Sequence, residues 1–139
     1  MMHDQLRLCN QLCFPLYTIS KEITRRYTPF LQELDLTYPQ YLVMLVLWES
    51  DAMSVGEIGE QLHLDSGTLT PLLKRLQSKG LIDRVRCVND ERSVKITLTE
   101  QGQAMENQAV AIPYKMAEQL NLSDDEVDTL KKIVSKLNS

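Results

Sequence analysis

The stretch from Asp65 to Arg92 constrains this chain more than any other. It opens Asp65-Ser66-Gly67-Thr68-Leu69-Thr70-Pro71-Leu72-Leu73-Lys74-Arg75-Leu76 and continues to Lys79-Gly80-Leu81-Ile82. Leu69, Leu72, Leu73 and Leu76 recur at helical spacing, which makes one face of a helix apolar. Asp65 or Ser66 can cap its start, because a short side-chain oxygen accepts from an N–H of the first turn. Gly80 stands where a glycine closes a helix in the left-handed conformation, so the spacing predicts a stop there. The other face carries the hydroxyls of Ser66, Thr68 and Thr70 and the cations Lys74 and Arg75. A helix that buries leucines and offers hydroxyl, ammonium and guanidinium groups to solvent suits the major groove of DNA.

The residues on either side extend this pattern. Leu81–Val88 and Ser93–Thr99 are rich in β-branched residues, and Val94, Ile96 and Leu98 alternate in the second run, which predicts a hairpin. Between them Asn89-Asp90-Glu91-Arg92 reads as a polar tip whose arginine can enter a minor groove. Alone, that tip is equally a solvated turn with a stray charge. Upstream, Ser54 and Glu57 have capping-box spacing and open a short helix over Val55–Leu62, with Ile58 and Leu62 inward and His63-Leu64 as the turn. Two short helices and a turn also describe a plain αα-hairpin. The wing that follows favours a winged helix-turn-helix.

Net charge has to be weighed against this. The chain has 139 residues, 43% of them hydrophobic and 24% charged, with a net charge of −4. That composition fits one globular domain, and the sum alone argues against an anionic partner. The distribution reverses the argument. Residues 66–95 hold seven basic residues (Lys74, Arg75, Lys79, Arg84, Arg86, Arg92, Lys95) against Asp83, Asp90 and Glu91, a local +4 that leaves −8 for the remainder. A basic face on an acidic body suits a protein that meets DNA on one side. Met1–Asn10 has no apolar core of a signal peptide, and the longest apolar run, Tyr41–Trp48, is far too short to span a bilayer. No membrane association is expected, and the cytoplasm, where thiols start reduced, is the expected location. The three cysteines, Cys9, Cys13 and Cys87, and the two histidines, His3 and His63, show no zinc spacing. No metal or cofactor is expected.

Long amphipathic segments flank the winged module. Leu12, Leu16, Ile19, Ile23, Tyr27 and Phe30 predict a first helix over roughly Asp4–Glu33, kinked where Pro15 frees the carbonyl of Gln11. Thr37 and Gln40 frame a capping box, with Pro39 in the first turn, for a helix ending near Glu49. Thr99–Gln119 reads as a fifth helix bent at Pro113. Ser123-Asp124-Asp125-Glu126 caps a last helix with the stripe Val127, Leu130, Ile133, Val134 and Leu137. The expected fold class is mainly α with a small β-hairpin wing. One domain, 1–139, would comprise a winged helix-turn-helix at 35–99 and dimerisation helices at 1–34 and 100–139. So small a module cannot bury all these stripes, and a second copy is the simplest cover. A two-fold homodimer also sets two recognition helices about one DNA turn apart, on a pseudo-palindromic operator.

In the runs Gln11-Leu12-Cys13-Phe14, Leu36-Thr37-Tyr38-Pro39-Gln40-Tyr41, Leu64–Arg75 and Asp90-Glu91-Arg92-Ser93 the chain resembles the MarR family of dimeric winged-helix regulators over essentially its whole length. Within that family it is most similar to the organic-hydroperoxide-resistance regulators (OhrR). The resemblance implies a transcriptional repressor, not an enzyme, in which organic hydroperoxide oxidises Cys13 and repression is lifted. It implies that the residues at Tyr27 and Tyr38 hold the Cys13 thiolate. It assigns DNA reading to Ser66, Thr68, Thr70, Pro71 and Arg75 on the helix, beside its cap Asp65 and the adjacent Lys74, and to Asp90 and Arg92 on the wing. The chemistry is consistent, since the thiolate is the reactive form and phenol hydroxyls can donate to it. Without the resemblance, Cys13 also reads as a small buried hydrophobe.

Two departures stand out. Pro15 lies two residues beyond Cys13, where it can alter the thiol's setting. Cys9 lies one helical turn before Cys13 if the helix is regular, where Cβ atoms sit about 5–6 Å apart against the roughly 3.8 Å a disulfide wants. No cysteine follows Cys87, so a resolving partner in the C-terminal helices is missing. A low-molecular-weight thiol, forming a mixed disulfide, is the expected partner. Two other functions share parts of the pattern. One is a MarR-type regulator released by a small lipophilic or phenolic ligand, or a broader stress or virulence regulator with the same cysteine switch. The other is a thiol peroxidase, which would need a second catalytic group and would have no use for Asp65–Arg92.

Overall fold

The computed structural model describes residues 3–87 and 90–138, and the backbone alone at 87 and 90–93. The chain forms two compact units, Met1–Ala109 and Val110–Ser139. Two short 3-10 turns, Asp4–Leu6 and Leu8–Asn10, lead the first unit. The helices α1 (Phe14–Gln32), α2 (Tyr38–Glu49), α3 (Val55–Leu62), α4 (Ser66–Ser78) and α5 (Glu100–Ala109) follow, with β1 (Met53–Ser54), β2 (Ile82–Cys87) and β3 (Asp90–Leu98) between them. The second unit holds α6 (Ile112–Leu120) and α7 (Asp124–Leu137). The result is mainly helical with a small antiparallel sheet, as expected.

The winged module follows the sequence closely. α3 spans Val55–Leu62, and Ser54 caps it by accepting from the N–H of Glu57 at 3.1 Å. His63 makes the turn in the left-handed region at φ 56°. The turn is tight, and a Cβ on Gly59 would lie 2.7 Å from the carbonyl oxygen of Leu64. α4 is capped by Asp65, which accepts from the N–H of Thr68 at 2.7 Å. It ends in a Schellman motif, with Gly80 at φ 78° donating to Gln77 and Leu81 donating to Leu76. Leu69, Leu73 and Leu76 are buried and Leu72 is partly so. With Ile58, Met44, Leu47, Ile82 and Ile96 they form the core of the first unit.

The sheet corrects two expectations. Its order is β1-β3-β2, so a short strand at Met53–Ser54 pairs with Ile96 and Lys95 on the free edge of the hairpin. Asp51 supports that edge by accepting from the N–H groups of Leu98 and Ala52. The polar tip is shorter than Asn89–Arg92, because β3 already begins at Asp90, which pairs with Cys87 across a bulge at Arg86/Cys87. Asp90 and Arg92 therefore stand on a strand. Asn89, together with Val88, lies outside the described residues, as do the side chains of Asp90 and Arg92.

Two helices also differ from expectation, both at prolines. The helix predicted from Asp4 does not form before Phe14. Gln11 is extended, and Pro15 sits in the first turn of α1. There its missing N–H costs nothing, whereas continuing an incoming helix would forfeit a bond and drive the ring into the preceding turn. Pro15 starts a helix; it does not kink one. Likewise Thr99–Gln119 is not one bent helix, since α5 stops at Ala109 and Pro113 opens α6 from its first turn. The box at Ser123 and Glu126 forms in both directions and caps α7. Among the described residues no helix is long and apolar enough to cross a membrane.

One contact gives the first unit its tightest constraint. α5 passes so close to the end of α4 that a Cβ on Gly102 would lie 2.1 Å from the carbonyl oxygen of Leu81. In an unconstrained helix, alanine in place of glycine stabilises by about 1 kcal/mol. Here Gly102→Ala should instead destabilise by about 1–3 kcal/mol, the cost of overpacking a filled interior. Urea unfolding checks it, and a gain in stability would mean that α5 is free to move away.

Candidate nucleic-acid face and thiol site

The surface of α4 divides as its sequence implies. Ser66, Thr68, Pro71, Lys74 and Arg75 are exposed and Thr70 is partly buried, while the leucines point inward. Asp65 is exposed and spends its carboxylate on the cap. Its hydrogen bonds to Thr68, through hydroxyl and backbone, hold the carboxyl below its ordinary range, so this anion orders the start of the helix. Pro71, inside α4, cannot donate to the carbonyl of Gly67. A lost bond on the exposed face, in the part of the helix richest in hydroxyls, fits a face shaped for something other than its own stability.

The basic residues do not act as one patch. Arg86 and Lys95 are exposed on the hairpin, as Lys74 and Arg75 are on α4. Arg84 is partly buried, and its Nε is buried without a hydrogen-bond partner. Lys79 is drawn back into the body. Its ammonium donates to the backbone carbonyl of Asp35 and, at 3.0 Å, to the side-chain oxygen of Gln40. Spacing alone counted Lys79 with the DNA face, because nothing local shows that the turn after α1 lies beside the end of α4.

The three residues named for thiol chemistry fall into two places. Cys13 is exposed and stands at the N-cap of α1, with no side chain capping the first turn. Negative charge is favoured at that end of a helix. The reading of Cys13 as a buried hydrophobe is thereby corrected. Cys9 is also exposed, in a 3-10 turn, with its thiol 3.8 Å from Asn10 Oδ1. The regular helical spacing assumed between Cys9 and Cys13 is absent, because Gln11 breaks it.

Tyr27 and Tyr38 pack against each other, ring centroids 4.7 Å apart, at the junction of α1 and α2. Tyr41 joins them at 5.7 Å from Tyr27, with Trp48 edge-on at 6.4 Å from Tyr41. Sequence reading missed Tyr41 and Trp48, although their seven-residue spacing on α2 was available as a signal. It also missed Tyr17, exposed one turn after Cys13, with Lys21 Nζ 5.3 Å from its ring centre. Cys13 and Tyr27 are fourteen residues apart on one helix, about 21 Å along the axis at 1.5 Å per residue. Neither side chain spans that distance, so the structure does not join this thiol and these phenols within one chain. Burial, helped by Tyr38 and Tyr41, pushes Tyr27 up to about 12, and burial raises Tyr38 and Tyr41 as well. All three phenols therefore keep their protons, and remain donors, throughout the physiological range.

Among the described residues no group of His, Cys, Asp or Glu could hold a metal ion. A shallow cavity of about 420 Å³ between α3 and α4 is lined by Val55, Gly59, Glu60, His63, Ser66 and Leu69.

The chain is similar to known proteins in sequence and in fold. The family model described as transcriptional regulator SarA/Rot matches residues 25–108. The chain is 51% identical over 134 residues to the organic hydroperoxide resistance transcriptional regulator of Bacillus subtilis, covering 96% of this chain and 89% of that one. It is 42% identical over 133 residues to the HTH-type transcriptional regulator SarZ of Staphylococcus aureus, covering 93% and 90%. Reduced AbfR bound to DNA, a protein of Staphylococcus epidermidis, superposes with a TM-score of 0.84 at 38% identity, over 99% of this chain and 96% of that one. The disulfide form of AbfR superposes with a TM-score of 0.68.

The phenols provide a direct check. The folded state holds Tyr27 neutral above its ordinary value of 10, so its contribution to stability is complete below pH 10 and is lost as pH rises toward 12. In an alkaline titration of phenolate absorbance, Tyr27→Phe should remove the latest ionisation. Loss of an ordinary step near pH 10 instead would contradict the packing.

Proposed function

The chain belongs to the family of MarR- and SarA-type winged-helix transcriptional regulators, and on that premise we propose a homodimeric repressor that releases its operator when organic hydroperoxide oxidises Cys13. The single observation that carries the DNA half is the division of α4, with Leu69, Leu73 and Leu76 buried and Ser66, Thr68, Lys74 and Arg75 exposed. Ser66, Thr68, Thr70, Pro71 and Arg75 meet the major groove, with Lys74 on adjacent phosphate. Asp65 holds the helix start, and Asp90 and Arg92 on β3 approach the minor groove. DNA-bound AbfR supports this docking.

The redox half rests on Cys13 being exposed at the N-terminus of α1 and on the identity to a hydroperoxide resistance regulator. A thiolate attacks the peroxide, so that Cys13–S⁻ + ROOH + H⁺ gives Cys13–SOH + ROH, a two-electron oxidation of sulfur. A low-molecular-weight thiol R′SH then gives Cys13–S–S–R′ and water. The distance to Tyr27 gives the dimer a chemical role, because the phenols that stabilise one chain's thiolate must come from the other. Leu12, Leu16 and Ile19, and on α7 Leu130, Ile133 and Leu137, are all exposed in the single chain and supply the apolar contact surface. The regulator acts in the cytoplasm, where its thiol starts reduced.

The central test is an electrophoretic shift on the protein's own upstream DNA with and without cumene hydroperoxide. Cys13→Ser should bind as wild type does and stay bound after peroxide, while Cys9→Ser releases normally. Release of Cys13→Ser together with retention of Cys9→Ser would transfer the sensing role to Cys9. Release of both would favour a small ligand as the effector. Separately, Arg92→Ala should weaken operator binding by about 1–3 kcal/mol, and unchanged affinity at low salt would remove Arg92 from the contact set.

A further inference from the structure

Gln40 is the one polar side chain buried in the described core, at 2% exposed. Its Oε1 accepts from two directions. The backbone N–H of Thr37 donates at 3.1 Å, closing the capping box of α2, and Lys79 Nζ donates at 3.0 Å. The hydroxyl of Thr37 completes the box by accepting from the N–H of Gln40 at 3.4 Å. Lys79 is the C-cap of α4 and also donates to the carbonyl of Asp35, whose φ of 55° makes the turn between α1 and α2. Tyr38, the first residue of α2, lies between Thr37 and Gln40 in sequence and packs at a tilt against Tyr27 of α1.

We infer that Lys79 and Gln40 are positioning residues that carry the state of the Tyr27–Tyr38 pair to the recognition helix. The inference rests on the thiol reading above, in which those phenols face the partner's sulfur. The first turn of α2 is rigid because its cap is closed from both sides. A displacement of Tyr38 on oxidation therefore moves Gln40 Oε1 with it. Oε1 is buried and shared, so Lys79 either follows or gives up its charge-assisted bond and leaves Oε1 with the N–H of Thr37 alone, and losing a buried hydrogen bond is costly. Lys79 is fixed to the C-terminus of α4, where its charge also complements the helix dipole. The link from α2 to α4 thus runs through hydrogen bonds with directional geometry, whereas apolar burial between helices is non-directional. The surface ion pair between Lys79 and Asp35, 3.8 Å apart with the carboxylate exposed, adds little.

The test measures operator affinity of the full-length protein before and after cumene hydroperoxide, with Cys13 oxidation followed by mass spectrometry in every sample. Wild type should lose affinity by about tenfold or more on oxidation. Lys79→Met keeps the aliphatic stem and removes the donor. It should oxidise at the wild-type rate, yet lose affinity by at most about a third of the wild-type factor. Gln40→Leu should behave alike, and Gln40→Glu, which keeps the acceptor for both donors, should retain the wild-type factor. Thermal unfolding distinguishes damage from uncoupling, because a destabilised variant lowers affinity in both states and leaves the ratio unchanged. A wild-type ratio in Lys79→Met overturns the relay even if Gln40→Leu fails to fold. Loss of coupling in Gln40→Glu as well would overturn the assignment of Oε1. A wild-type protein that oxidises without losing affinity would overturn the thiol reading, and the relay with it.

Discussion

The close approach of α5 to the end of α4 is the constraint on which the rest of the first unit depends. Gly102 admits the carbonyl of Leu81 where any side chain would collide. Around that contact runs a set of hydrogen bonds. Thr99 Oγ1 donates to the carbonyl of Gly80 at 2.6 Å and accepts from the N–H of Gly102 at 3.0 Å. The N–H of Thr99 returns to the carbonyl of Leu81, and Trp48 Nε1 donates to the carbonyl of Gly102 at 2.9 Å. Four elements meet within one network: the end of α4, the base of the hairpin, the start of α5 and the end of α2. In the proposed function a recognition helix and a wing read two grooves of one duplex, which needs a constant spacing between them, and this junction supplies it.

The remainder divides between two kinds of surface. In the winged core Leu69, Leu73 and Leu76 are buried and the caps of α2, α3 and α4 are closed, while the Nε of Arg84 stays buried without a partner. At the ends, large apolar side chains from Leu6 to Ile19 and from Leu122 to Leu137 are open to solvent. Apolar surface of that extent is costly in water, and the sensing chemistry proposed for Cys13 lies within it. The thiol and the phenols assigned to it are separated by most of α1. Assembly and sensing are therefore one requirement in this reading, and a lone chain would carry each half of the site without the whole.

Much of this was legible in the residues, for a specific reason. Capping and stopping are local. Thr37 with Gln40, Ser54, Asp65, Gly80 and Ser123 with Glu126 each act within about one turn, so their spacing states the outcome. The amphipathic stripe of α4 is legible in the same way. Spacing alone makes Pro15 and Pro113 interruptions within long helices, because periodicity continues across them. In both cases the chain uses the proline to begin a new helix, a choice settled by whether the preceding residues can pair their backbone, which spacing does not reveal. The polar residues of the strand at Asp90–Arg92 lack β propensity and by themselves predict a loop, and pairing with β2 overrides that preference.

By itself the sequence determined where helices start and stop, which face of α4 is apolar, and which residues carry hydroxyls, cations and thiols. These depend on neighbours a few positions away. Only the tertiary structure decided that Lys79 leaves the basic face for Gln40 and Asp35, that Tyr41 and Trp48 extend the pair of Tyr27 and Tyr38, and that Cys13 stands about 21 Å along α1 from that pair. Each of these concerns residues far apart in the chain or a distance along a rigid helix. Such relations exist only once packing has chosen which turns lie side by side, and the free energy of that choice is spread over the whole core.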